Sequence, residues 1–461
     1  MSFAHTGGVS NTLQCLAGSL RGVQVGDVVH YRGIPYAHAG RFEPARAVAT
    51  WSGTRDATQH GPISPQMRSP ITPVMGLPSE ALQDEACLSL SVSAPVASAK
   101  PRAVMVWFHG GAYIVGASSY DWYRPDALVR EGDVVLVSVN YRVGLFGYLY
   151  SPGLSPGNLG LLDQLAALRW VQTNIAAFGG DPSNVTVFGE SAGGHSIAAM
   201  LACPQAKGLF RRAIIQSPHL GVGFVSLTRA QRVATTLTHS LQGLDLKTSP
   251  ARDLLDAQAR MQLAMLGPTG LNSVPPFGPI AGVAPLPAPA QTDPCRAILH
   301  HDVDLIIGCT HEEMRAYFDL NPRITALRNL PWLGTSAYKS LVRGATDRVF
   351  TRPVARFADA FAAAGQAKVY LYRFDWAPEP APHGCCHTLD LPFTFGVEGW
   401  RKSPMLGNTA PERIDALGRE LRSAWTSFAR TGDPNATGTP HWARHTPGAS
   451  PARRFFSDAQ P

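Results

Sequence analysis

Short apolar runs punctuate the chain at 103–108, 134–139, 185–189, 213–216, 303–307 and 369–372. Each holds four to six residues rich in Val, Ile, Leu, Phe and Tyr, bounded by polar or glycine positions, which predicts strands. Between the second and third run the period changes. Leu161, Leu165, Leu168, Val171, Ile175 and Phe178 recur at spacings of three and four, so a helix is expected there. Asn158 is expected to cap its start, and Gly179-Gly180 followed by Asp181-Pro182 to stop it. A second amphipathic helix follows Ser191. A third, near the C-terminus, lines up Ile414, Leu417, Leu421, Trp425 and Phe428, with Gly432 at the position after its last turn. Strands alternating with helices argue for an α/β fold: a mostly parallel sheet covered on both faces, whose site lies at the carboxyl ends of the strands.

The stretch 220–294 breaks this rhythm with two helical patterns and a Pro-rich crossing, "SVPPFGPIAGVAPLPAPA". It is expected to be a cap inserted over the sheet edge, leaving 1–461 as one decorated domain. Composition adds little. A hydrophobic content of 45% and a charged content of 16% describe an ordinary globular chain with ample core material. The formal charge of +7 is scattered, without the basic block or aromatic-basic alternation of a nucleic-acid surface. No apolar stretch reaches spanning length, so no membrane partner is expected. The N-terminal twenty residues lack a basic region followed by an apolar core, which points to a cytoplasmic protein. Its seven cysteines, Cys15, Cys87, Cys203, Cys295, Cys309, Cys385 and Cys386, have no metal-ligand spacing and read as reduced thiols; no metal is expected.

The chemistry concentrates in two motifs. "VTVFGESAGGHS" ends a strand and contains Gly189-Glu190-Ser191-Ala192-Gly193, a G-x-S-x-G pattern that presents a serine on a strained strand-to-helix turn. Alone, the pattern also fits a Gly-rich loop that merely ends a strand. "VMVWFHGGAY" ends an earlier strand and opens into Gly110-Gly111, whose amides, with that of Ala192, suit an oxyanion hole. No G-K-[ST] follows, so a phosphate cradle is excluded. A serine hydroxyl needs a base to take its proton, and two motifs in this order supply a nucleophile and its oxyanion donors.

Here the chain resembles the type-B carboxylesterases of the α/β-hydrolase fold, the family of cholinesterases and bacterial p-nitrobenzyl esterases. "YRGIPYA", "DEACLSLSV", "FHGGAY", "VSVNYRVGLFGYL", "CHTLDLPFTFG" and "WTSFARTGDPN" look like family blocks in family order, spanning about 31–435. The resemblance implies Ser191 as nucleophile, Glu313 in "DVDLIIGCTHEEMRAYF" as acid and His387 as base, with Gly110, Gly111 and Ala192 at the oxyanion. His383 is the rival base; Glu312 and Asp390 are rival acids. Arg41 and Glu85 match a structural ion pair of the family. Ser64 stands where secreted relatives carry a cysteine that bridges Cys87, so Cys87 is expected to be free. Met314 replaces the glycine usual after the acid.

The implied activity is cofactor-independent hydrolysis of a small-molecule carboxylic ester through an acyl-enzyme. Amide or carbamate hydrolysis on the same triad is the alternative. A non-catalytic binding protein is a third reading, which the intact triad disfavours. Neither the ester nor the oligomeric state is legible, although the loops at 61–79, 220–224 and 275–286 are expected to wall the pocket.

Overall fold

Alternate residues of the apolar runs face opposite sides of one sheet, as the two-residue period of a strand requires. The computed structural model describes residues 9–96, 100–266, 275–291, 295, 298, 300, 302–448 and 453–457. Its main strands are β1 (Val9–Cys15), β2 (Gly18–Val25), β3 (Val28–Pro35), β4 (Ser89–Pro95), β5 (Arg102–Phe108) and β6 (Val135–Val139). They continue with β7 (Gly180–Glu190), β8 (Arg212–Gln216), β9 (Asp304–Thr310), β10 (Val369–Phe374) and β11 (Arg453–Phe456). The spatial order is β1-β2-β3-β4-β6-β5-β7-β8-β9-β10-β11. Pairing is antiparallel from β1 to β6 and parallel from there to β11. The protein has the α/β-hydrolase fold, and all six predicted strands lie in its parallel part.

One face packs Val104, Val106, Val137, Val187, Ile215 and Ile307 under helices α1 (Leu159–Asn174) and α2 (Ala192–Met200). The other packs Met105, Trp107, Leu136, Phe188, Ile214 and Ile306. Over that second face lies the C-terminal helix Pro411–Thr431, which buries Ile414, Leu421, Trp425 and Phe428. Each such side chain taken from water contributes about 1.5–3 kcal/mol. Gly432 ends the helix in the left-handed region, its N–H donating to the Phe428 carbonyl, as expected.

One expectation needs correction. Asn158 does not cap α1: it adopts φ 54° and its side chain turns to the Pro-rich crossing. There its Nδ2 donates to the carbonyls of Ile280 and Val283 at 2.9 and 2.8 Å, and its Oδ1 accepts from the Ile280 amide at 2.7 Å. Three bonds to a distant segment outweigh one local cap. The insertion at 220–294 is a connection between neighbouring strands. It joins β8 to β9, which pair directly in the interior of the sheet. Its helices α3 (Leu227–Ser240) and α4 (Ala251–Met265) pack on Leu145, Phe146, Tyr113 and Ala192, over the strand ends that carry the motifs. Part of the Pro-rich crossing falls outside the described residues. Among those described, no helix is long and apolar enough to cross a membrane.

Candidate active site

β7 ends at Glu190 and α2 begins at Ala192, leaving Ser191 alone on the turn with φ 55° and ψ −119°. That conformation is costly for a side chain and persists only where the surroundings fix it. Here the Ser191 N–H donates to the Gln216 carbonyl at 2.9 Å, and the His195 N–H to the Ser191 carbonyl at 2.8 Å. The flanking glycines are demanded by contact. A Cβ on Gly193 would lie 2.0 Å from the Phe108 carbonyl oxygen, and one on Gly189 2.7 Å from the Gly193 carbonyl carbon.

Three distant segments meet at this serine. His387 Nε2 lies 2.8 Å from Ser191 Oγ. Its Nδ1 makes a short hydrogen bond to Glu313 Oε2, while Glu313 Oε1 accepts from the Thr310 amide at 2.7 Å. Ser191, Glu313 and His387 are all buried. The rival carboxylates are turned away. Glu312 accepts from Arg315 Nη1 at 3.0 Å and from the Cys385 amide at 3.1 Å. Asp390 accepts from Gln216 Nε2 at 2.9 Å and Tyr372 O–H at 3.2 Å. His383 pairs with Asp319 at 2.9 Å, outside the cluster. Met314 packs its side chain with Cys309 and Phe350, and its amide donates to Thr346 Oγ1 at 3.2 Å.

Gly110 and Gly111 line a cavity of about 510 Å³ that holds Ser191 and His387 at its floor. At Gly111 (φ +118°) a Cβ would meet the Val115 carbonyl at 2.1 Å; at Gly110 it would meet Glu190 Oε2 at 2.7 Å. Only glycine brings this backbone so close to the serine. The third amide, of Ala192, belongs to the first turn of α2, where helix geometry leaves N–H groups without an internal acceptor. His109 is structural: its Nδ1 contacts the Gly110 carbonyl at 2.8 Å, its ring stacks on Tyr141, and burial pushes it down to about 4.

The pocket walls match the sequence in one place of three. Met67, Pro70, Ile71, Met75 and Leu77 supply an apolar wall from the 61–79 loop, with Arg68 beside them. The 220–224 and 275–286 segments instead enclose a separate small void with Tyr113, His195 and His219. Arg41 and Glu85 do pair, through a bidentate contact that includes Arg41 Nε to Glu85 Oε2 at 2.8 Å. Among the described residues no disulfide joins any of the seven cysteines. Among the described residues no group of three or more His, Cys, Asp or Glu side chains could hold a metal ion.

Sequence reasoning gave Glu190 no role. The only signal was an acidic residue inside a motif of small residues. Glu190 Oε1 lies 3.2 Å from His387 Nε2, buried and with no hydrogen-bond partner among the described residues. Burial pushes its carboxyl up to about 8, against the pull of His387. Burial pulls His387 down, but Glu190 and Glu313 together outweigh it and hold the imidazole up at about 9. The cluster can therefore carry a proton from the serine to an imidazole with a carboxyl group at each nitrogen.

The model of the carboxylesterase family matches residues 9–328 and 333–455. A probable N-octanoylanthranilate hydrolase of Rhodococcus erythropolis is 42% identical over 95% of this chain and 96% of its own. The para-nitrobenzyl esterase of Bacillus subtilis is 35% identical, over 91% and 89%. A solved thermophilic p-nitrobenzyl esterase superposes with a TM-score of 0.82 at 33% identity, covering 97% of this chain and 96% of that one.

Proposed function

The chain belongs to the carboxylesterase family, and on that premise we propose that Ser191, His387 and Glu313 are the triad of this carboxylic ester hydrolase. The observation that carries the reading is the unbroken line from Ser191 Oγ through both His387 nitrogens to Glu313, at the floor of the cavity. Ser191 Oγ attacks the ester carbonyl as His387 Nε2 takes its proton. Glu313 orients the ring and offsets the imidazolium charge. The amides of Gly110, Gly111 and Ala192 face the oxyanion. His387 then gives its proton to the departing alcohol, and water releases the acyl group by the same steps in reverse. Every step uses this chain's own residues and water, so no cofactor is needed.

Amide hydrolysis is the second reading. It is favoured by the 42% identity to a protein named for N-octanoylanthranilate, an amide of an eight-carbon acid. The apolar wall at 67–77 suits an alkyl or aryl group of a small-molecule substrate. Ser64, in the place of the cysteine with which secreted relatives bridge Cys87, supports a cytoplasmic location.

The test is Ser191→Ala assayed on p-nitrophenyl esters of rising acyl length beside the matching anilides. Loss of kcat by about 10⁴-fold or more with the fold retained is expected. Unchanged turnover in the purified variant rules the triad out, and the ester-to-anilide ratio of the native enzyme decides between the two bonds.

A further inference from the structure

Two consecutive non-glycine residues of the oxyanion loop, Ala112 and Tyr113, sit in the left-handed region with φ 53° and 61°. Such a pair does not hold itself in place. The Tyr113 carbonyl accepts from the Gly144 amide at 2.6 Å, which fixes the backbone. The side chain reaches the other way, to the nucleophile helix. There the Tyr113 hydroxyl meets His195 Nδ1 at 3.0 Å, and Ser196 Oγ donates to the same hydroxyl at 3.3 Å. The Tyr113 hydroxyl oxygen thus accepts from Ser196 and shares a second hydrogen bond with the His195 ring.

His195 is thus bonded at both ends. Its backbone N–H holds the Ser191 carbonyl, and its ring holds the residue three positions beyond Gly110. One residue thereby ties the turn that aims the serine to the loop that presents the amides. The placement is expensive. His195 is 2% exposed, and its Nε2 finds no partner among the described residues, with the rings of Phe224 and His219 tilted against it, the latter at 4.2 Å. An apolar side chain of similar size would fill the space without stranding a polar nitrogen. Burial, with His219 beside it, also keeps the ring neutral well below its ordinary range, so the tie does not titrate during catalysis.

We propose that the Tyr113–His195 hydrogen bond sets the distance between the oxyanion loop and the nucleophile, making both side chains positioning residues for the hydrolysis. The proposal rests on Gly110, Gly111 and Ala192 being the oxyanion donors. A packing role is the competing account, since the Tyr113 ring also meets Tyr148 edge-on at 4.9 Å. That role would survive in Tyr113→Phe.

The experiment compares full-length Tyr113→Phe, His195→Met, His195→Asn and the double variant Tyr113→Phe/His195→Met. The readouts are kcat and KM on p-nitrophenyl butyrate, affinity for an alkyl boronic acid, and melting temperature. Asn places an amide, with both a donor and an acceptor, near the position of Nδ1; Met fills volume without one. A lost oxyanion donor costs about 10²–10³-fold, so loosened donors should lower kcat by roughly 10–100-fold in Tyr113→Phe and His195→Met, with KM within about two-fold. Boronate affinity should fall in step, His195→Asn should recover most of the loss, and the double variant should be no worse than either single one. Unchanged kcat and boronate affinity in Tyr113→Phe overturn the proposal, as does His195→Asn behaving like His195→Met. Should His195→Met fail to fold, Tyr113→Phe alone decides. Ser191→Ala is run alongside: if it retains turnover, the triad and oxyanion reading has failed rather than this inference.

Discussion

Glu190 Oε1 and Ser191 Oγ share one nitrogen: the first lies 3.2 Å and the second 2.8 Å from His387 Nε2. A carboxyl group thus faces the same lone pair that must receive the serine proton. With Glu190 held up near 8 and His387 near 9, the pair keeps a proton over the neutral range, and the serine can transfer its own only when that proton rests on Glu190 or has left. Activity should therefore rise with pH, with an acid limb above the ordinary histidine value. Glu190→Gln removes a negative charge that favours the imidazolium, so the limb should move to lower pH. A kcat/KM profile from pH 5 to 10 for both proteins checks this, and a limb at the same pH in each refutes it.

The acid can be identified by three variants. Glu313→Gln leaves His387 without its orienting partner and should lower kcat by about 10³–10⁴-fold. Glu312→Gln disturbs only Arg315 and the Cys385 amide, so kcat should stay within roughly ten-fold. Asp390→Ala strands two buried donors, Gln216 Nε2 and Tyr372 O–H. It should cost about 1–3 kcal/mol for each, read by urea melts, before it costs turnover. If Glu312→Gln is the crippling change, the assignment is off by one residue.

A stability effect without a kinetic one is expected at Asp163. It is fully buried and accepts from Arg142 Nε at 2.8 Å and Nη2 at 2.7 Å, and Arg142 is itself only 5% exposed. Asp163→Ala leaves that guanidinium buried and unpaired, at a cost of about 3–5 kcal/mol. Chemical denaturation should show the loss, while turnover per active site, counted with a fluorophosphonate, should not change.

The thiols offer an independent check. Burial pushes Cys87 and Cys203 up to about 12 and raises Cys385 and Cys386 as well, so in the native protein these should resist a thiol reagent at pH 8. In denaturant without reductant all seven should react. Two missing thiols in fresh protein would mean a disulfide.

The parallel half of the sheet was legible because both of its faces are covered, which forces near-continuous apolar runs. β1 escaped notice for the opposite reason. In "VSNTLQC" most side chains stay in contact with solvent, so hydrophobicity barely marks it. The meeting of Ser191, Glu313 and His387 could not be read from spacing at all: 196 residues separate the serine from the histidine. It came from the resemblance; in the structure Glu312, Asp390 and His383 each bond to another partner. Asn158 misled because its residue type suits a helix start, and type says nothing of a distant backbone that competes for the side chain.

The strand order carries a consequence for synthesis. From β7 onward, each new strand docks beside the one made before it, so the sheet can grow as the chain leaves the ribosome. At about 5–20 residues per second, some 10–40 s pass between the appearance of Ser191 and that of His387. Throughout that interval the elbow can be folded and its serine aimed, yet the proposed base does not stand beside it. On the proposed triad, a nascent chain cannot yet cleave esters, and a product truncated before 387 should be inert however well its core has formed.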